Sequence, residues 1–197
     1  VTGAAPYQSL HWRGGEGFFR WFVFDDADWD FRSFDFDSDL EFALGKVGSA
    51  VDANDPDLSA FRDRGGKLLV YHGWSDPDIS PLASIDYFSR VVDLSTSRAD
   101  ASSREQAESV TKDYFRLFMV PGMGHCAGGP GPDRFDALTA LENWVENDVP
   151  PDSIIARKIE EDQVTRSRPL CVYPAVARYD GSGSTDEAAN FYCAVPE

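Results

Sequence analysis

The stretch Phe115-Arg-Leu-Phe-Met-Val-Pro-Gly-Met-Gly-His125-Cys126 constrains the fold more than any other part of the chain. A largely apolar run that stops at Pro-Gly reads as a strand buried on both faces, the kind found in parallel sheets with helices over them. A second such run, Lys67-Leu-Leu-Val-Tyr71, stands earlier. It follows a short predicted helix at 58–64, started by the turn cluster at 52–57 and ended by Gly65-Gly66. Behind it come the turn-rich loop His72-Gly-Trp-Ser-Asp-Pro-Asp-Ile-Ser80 and a helix predicted over 81–92, with Pro81 suited to its first turn. Residues 95–112 are polar and read as a loop or a short helix. The pattern at 133–147 predicts an amphipathic helix with Phe135, Leu138, Leu141, Trp144 and Val145 on one face. A last strand is expected at 154–158, ahead of a loop-rich tail. This alternation of helix, strand and loop is α/β. In open parallel sheets, function collects in the loops at the carboxyl ends of strands, where Asp76 and His125 both fall.

The 197 residues suit one domain with a sizeable core, or one domain plus part of another. With 42% hydrophobic and 26% charged residues, the chain is globular rather than disordered. A net charge of −16 argues against nucleic acid and anionic membrane surfaces, which need a basic patch. No apolar run approaches the length of a membrane-spanning helix. The opening Val1-Thr-Gly-Ala-Ala-Pro6 lacks the pattern of a signal peptide. Residues 12–42 are crowded with aromatics, among them Phe18, Phe19, Trp21, Phe22, Phe24 and Trp29, interleaved with aspartates and without a clean period. They read as an irregular aromatic mini-core, and the competing reading is part of a lid over an apolar pocket.

A histidine on a glycine loop after a strand is where a hydrolase keeps its general base. A Ser-His-Asp machine also needs an acid to orient the imidazole, and Asp76 precedes His125 in the order α/β-hydrolases use. The plainer alternative makes Asp76 a turn residue before Pro77, and Asp78 competes with it for the role. His72 directly follows the first strand and is expected to pack there. No Gly-x-Ser-x-Gly elbow is present. Gly181-Ser-Gly-Ser-Thr185 comes after the histidine and reads as a surface turn. Cys126 is a poor nucleophile candidate, because neighbours on one loop rarely reach attack geometry. Metal binding is not expected. The cysteines and histidines lack ligand spacing, and the aspartates at 25, 26, 28 and 30 resemble a calcium loop only loosely. Cys171 and Cys193 are placed to close the tail with a disulfide, which leaves Cys126 free, metal-bound or paired outside this chain. Disulfides would put the protein in an oxidising compartment, periplasmic or secreted.

Three segments together carry a resemblance. Tyr71-His-Gly-Trp-Ser-Asp-Pro-Asp-Ile-Ser-Pro81, Phe118-Met-Val-Pro-Gly-Met-Gly-His-Cys126, and Arg168-Pro-Leu-Cys171-Val-Tyr-Pro with Ala189-Asn-Phe-Tyr-Cys193 closely resemble the tannase and feruloyl esterase family. The resemblance implies an α/β-hydrolase fold with a large lid inserted before the acid. Residues 1–52 would be the trailing end of that lid, and 53–197 the C-terminal portion of the parallel sheet and catalytic domain. It makes Asp76 the triad acid and His125 the base. It also makes Cys126 one half of a bridge to a cysteine beside the nucleophilic serine, and Cys171–Cys193 the C-terminal disulfide. Ile79, three residues after the acid, and Trp74 become substrate-binding candidates. The serine, the oxyanion hole, most of the lid and its structural calcium loop would precede Val1, so the chain alone is expected to be inactive. The expected substrates are small aromatic esters, hydroxycinnamoyl or galloyl, with no cofactor in the chemistry. The alternative is a non-catalytic fragment or binding module.

Overall fold

The computed structural model describes residues 9–98 and 101–196. The reading of residues 1–6 lies outside them. The chain divides into two compact units between Asp55 and Pro56.

The first unit is helical and irregular. Helix α1 (Leu10–Gly17) is capped by Ser9, whose hydroxyl accepts from the Trp12 N–H. It runs into a π-helical turn, Phe18–Phe24, which the left-handed Asp25 ends. A 3-10 turn (Phe31–Ser33), α2 (Ser38–Ala43), a second π turn (Leu44–Gly48) and α3 (Ser49–Val51) follow. The aromatics meet in pairs: Phe19 with Phe34 at 4.5 Å and Phe24 with Trp29 at 5.3 Å between ring centroids. The expected mini-core is only partly formed. Val23 and Ala43 are buried, while Trp21, Phe22, Phe36 and Phe42 keep half or more of their surface exposed.

The second unit is built on a parallel pair, β1 (Leu68–Gly73) and β2 (Phe115–Val120), in register from Leu68 opposite Phe115 to Gly73 opposite Val120. Short α4 (Ser59–Arg62) precedes β1; α5 (Pro81–Ser97) and α6 (Arg104–Lys112) lie between the strands. Every residue of β2 is buried, and its alternation serves two cores. Phe115, Leu117 and Met119 face Phe88, Val91 and Val92 of α5 and Ala107 of α6. Phe118 and Val120 face a second cluster with Met123, Ile154, Ala156 and Leu170. That cluster draws on the hairpin of β3 (Ser153–Glu160) and β4 (Gln163–Cys171), with Ala140 of α7 (Ala137–Asn147) against it. Arg116 is buried but satisfied. It donates to the carbonyls of Lys112 and Pro151 and to Asp152, and its guanidinium lies over the Trp144 ring.

Several boundaries differ from the sequence reading. Strand β1 runs on through His72 to Gly73. Helix α5 continues past residue 92 to Ser97, since no breaker intervenes. Helix α7 starts at Ala137, not 133, because Arg134 exchanges backbone hydrogen bonds with Arg157 of β3 and Asp136 supplies the cap. Its buried face is narrower than the pattern implied: Trp144 is 1% exposed, yet Leu138 and Val145 are 66% and 60% exposed. The tail is not loop-rich. β4 extends to Cys171, and β5 (Val176–Tyr179) pairs antiparallel with β6 (Phe191–Ala194). The expected Cys171–Cys193 disulfide links β4 to β6. No described helix is long and apolar enough to cross a membrane.

Trp144→Ala should lower unfolding free energy by about 3–5 kcal/mol, as for other buried large side chains. Leu138→Ala, six residues earlier on the same helix, should change it by less than about 0.5 kcal/mol. Urea unfolding of both variants checks this. Equal losses would mean that the apolar face is used as the sequence pattern implied.

Candidate active site

Because β1 and β2 are parallel and end level, the two loops that leave them are neighbours. They are laced together: the Trp74 N–H donates to the Val120 carbonyl at 2.9 Å and the Ser75 N–H to the Met123 carbonyl at 3.0 Å. The approach is so close that a Cβ on residue 73 would lie 2.2 Å from the Met123 oxygen, so only glycine fits. The second loop is folded on itself, with the Gly124 N–H donating to the Gly128 carbonyl and the Gly131 N–H to the Gly122 carbonyl. At its centre Cys126 takes a left-handed conformation, φ 50°, which costs a non-glycine residue about 1–3 kcal/mol. The return leg is pinned from outside. Buried Asp133 accepts from the Gly128 N–H at 2.7 Å, and Lys158 of β3 donates to the Gly129 carbonyl at 2.6 Å. Lys158 also stands 3.6 Å from the Asp133 carboxylate.

The two loops bring Asp76 and His125 together, with Oδ2 accepting from the imidazole Nδ1–H at 2.8 Å. The acid side chain is 4% exposed and the imidazole 43%. Asp76 Oδ1 accepts from the backbone N–H groups of Asp78 and Ile79, at 2.8 and 3.0 Å. Burial works against the carboxylate charge and is the largest single influence on it. The Ile79 N–H, the His125 imidazole and the Asp78 N–H together overcome burial and hold the carboxyl well below its ordinary range. The hydrogen bond and charge of Asp76 in turn push His125 above its ordinary value of 6.5, with a smaller push from Asp78. A buried acid that stays ionised beside a half-exposed imidazole can orient a base and stabilise its protonated form. Among the described residues none hydrogen-bonds His125 Nε2, the nitrogen that faces away from the acid.

Asp78, the rival for the acid, contributes its backbone N–H to Asp76 instead. His72 does not merely pack at the strand end. Its Nε2 lies 3.2 Å from Asp76 Oδ2, an i to i+4 relation the sequence displayed but gave no reason to single out. Nor did the sequence mark Asp133 and Lys158, which pairing with β3 brings to the loop. Asp76, Asp78 and His125 could bring three ligand atoms within 4.8 Å of one another. Asp76 nevertheless already faces four N–H donors, two per oxygen, which leaves little room for a cation. Trp74 and Ile79 both lie in the acid loop but part company. Trp74 lines an open cavity of about 860 Å³ with Met119, Gly122, Arg168 and Tyr173, whereas Ile79 is surface-exposed outside that lining. Cys126 is exposed, with a free thiol.

Residues 13–194 match the family model described as tannase and feruloyl esterase. An uncharacterized esterase of Xanthomonas campestris is 40% identical over 89% of this chain and 35% of its own length. The mono(2-hydroxyethyl) terephthalate hydrolase of Piscinibacter sakaiensis is 47% identical over 73% of this chain and 22% of its own. The crystal structure of feruloyl esterase B from Aspergillus oryzae superposes with a TM-score of 0.79 at 29% identity, covering 91% of this chain and 36% of that one. The chain thus spans about a third or less of the length of the relatives it matches.

The pairing of Asp76 and His125 has a signed pH dependence. His125, raised in the folded state, contributes stability below about pH 6.5 and loses it as pH rises through its folded value. Asp76, lowered, contributes above about pH 3.8 and loses it as pH falls. NMR titration should therefore find His125 above 6.5 in the wild type and shifted down in Asp76→Asn. An unmoved midpoint in that variant would break the assignment of Asp76 as its partner.

Proposed function

This chain belongs to the tannase and feruloyl esterase family, and from that membership we propose that it supplies the acid and base of a serine ester hydrolase acting on aromatic carboxylic esters. The fold is of the α/β-hydrolase type, as in the feruloyl esterase and tannin acyl hydrolase structures it superposes on. Its relatives are carboxylic ester hydrolases. The reading rests on one observation: a 2.8 Å hydrogen bond joins a buried, ionised Asp76 to an exposed His125 at the adjacent ends of two parallel strands.

In this reading the nucleophilic serine lies in the remainder of the protein, outside these 197 residues. His125 Nε2 takes the serine proton as the hydroxyl attacks the ester carbonyl. It then donates that proton to the departing alcohol, and the cycle repeats with water to release the acid. Asp76 holds Nδ1–H throughout and stabilises the imidazolium. Hydroxycinnamoyl and galloyl esters are the substrate class, with Trp74 and Ile79 as the contributions of this chain to recognition. Cys126, exposed beside the base, bridges to a cysteine next to the serine. Such a bridge would tie base loop to nucleophile and, with Cys171–Cys193, place the protein outside the reducing cytoplasm. The chemistry needs no cofactor, and a structural calcium would belong to the rest of the lid.

Hydrolysis of methyl ferulate and methyl gallate by the protein that contains this chain tests the reading. His125→Ala should lower kcat by about 10⁶-fold. Full activity in that variant would refute it. Non-reducing intact-mass analysis should find Cys126 in a disulfide; a free thiol there favours a non-catalytic binding module.

A further inference from the structure

The acid has a second imidazole. His72 projects from the penultimate position of β1, with its side chain 13% exposed. Its Nε2 lies 3.2 Å from Asp76 Oδ2 and 3.2 Å from the Ile79 carbonyl oxygen. Its Nδ1 lies 2.8 Å from the hydroxyl of Ser84, in the first turn of α5. Both neighbours of Nε2, an ionised carboxylate and a carbonyl, can only accept. Nε2 therefore carries the hydrogen, and in the neutral ring Nδ1 accepts from Ser84.

We propose that His72 is a positioning residue for the triad, held by Ser84 and fixing Asp76 Oδ2 toward the Nδ1–H of His125. This rests on the reading of Asp76 as the acid that orients His125. The physical need is clear from the donors. The terminal torsion of an aspartate is soft, and backbone N–H groups fix only Oδ1. Without His72, buried Oδ2 would keep a single partner, on a different loop and half exposed to water. With it, Oδ2 also meets a donor anchored in a strand and oriented by a helix. His72 further accepts the constraint of Ile79, so the turn that delivers the two N–H groups to Oδ1 is tied to the same ring. Chained hydrogen bonds of this kind restrict a catalytic group more than any one of them does.

Imidazole ¹⁵N NMR on this chain gives the test, because it has only three histidines, His11, His72 and His125, and the readout needs neither nucleophile nor substrate. Wild type should show His72 as the Nε2–H tautomer and His125 as the Nδ1–H tautomer. In His72→Ala the Nδ1–H signature of His125 should weaken, and its titration midpoint should fall back toward 6.5. His72→Gln keeps a donor toward Oδ2 and an acceptor toward Ser84, and should restore both. Ser84→Ala, a milder change, should shift His125 in the same direction by less. An unchanged His125, or a midpoint that rises, in a folded His72→Ala or Ser84→Ala variant overturns the proposal. If the ¹⁵N result holds while ester hydrolysis is absent, the functional reading fails and the positioning role of His72 stands.

Discussion

The close approach of the His125 loop to the end of β1 is the contact on which the site depends. The Met123 oxygen occupies the space a side chain at residue 73 would need, so the loop sits directly on the strand end. Parallel pairing in register makes this possible, since both strands then deliver their carboxyl ends to one edge. An antiparallel pair would send the acid and the base to opposite ends. β2, which delivers that loop, is buried along its whole length because α5 and α6 cover one face and the β3–β4 hairpin the other.

Electrostatically, the site solves a problem set by burial. A carboxylate that is nearly inaccessible would tend to take up a proton, and a protonated acid could not stabilise an imidazolium. Three N–H donors prevent this, two from the turn after Asp76 and one from the His125 imidazole. They also fix the plane of the carboxyl. The base is left exposed on its other edge, which a proton carrier requires. The Asp133–Lys158 clamp does for the base loop what the Asp76 turn does for the acid, by holding backbone groups that glycines would otherwise leave free.

Much of this was legible in the chain. β2 was readable to the residue because an apolar run closed by Pro-Gly permits few alternatives. The disulfide at Cys171 and Cys193 and the pairing of Asp76 with His125 were readable from motifs that carry a family resemblance. Periodicity misled at α7. It assigned Leu138 and Val145 to a buried face, but a helical pattern records what could be covered, and here only Trp144, against Lys67 and Arg116, and Ala140, against the hairpin cluster, face inward. The tail looked like loop because its strands are short, polar and interrupted by proline and glycine. Their pairing is long-range, between residues near 176 and near 194.

The α/β order, the placement of an acid and a base after successive strands, and the chemistry those residue types can perform could all be read along the chain. These are local properties, written in hydrophobic runs, turn residues and short motifs. Folding in three dimensions adds that His72 shares the carboxylate oxygen that meets His125, and that Asp133 and Lys158 hold the base loop. The reach of His125 to Asp76 and of Lys158 to the base loop depends on distances between segments far apart in the chain, set by strand register and by the absence of a single Cβ at Gly73, whereas His72 meets Asp76 because the short turn between them folds back. No local pattern encodes such distances.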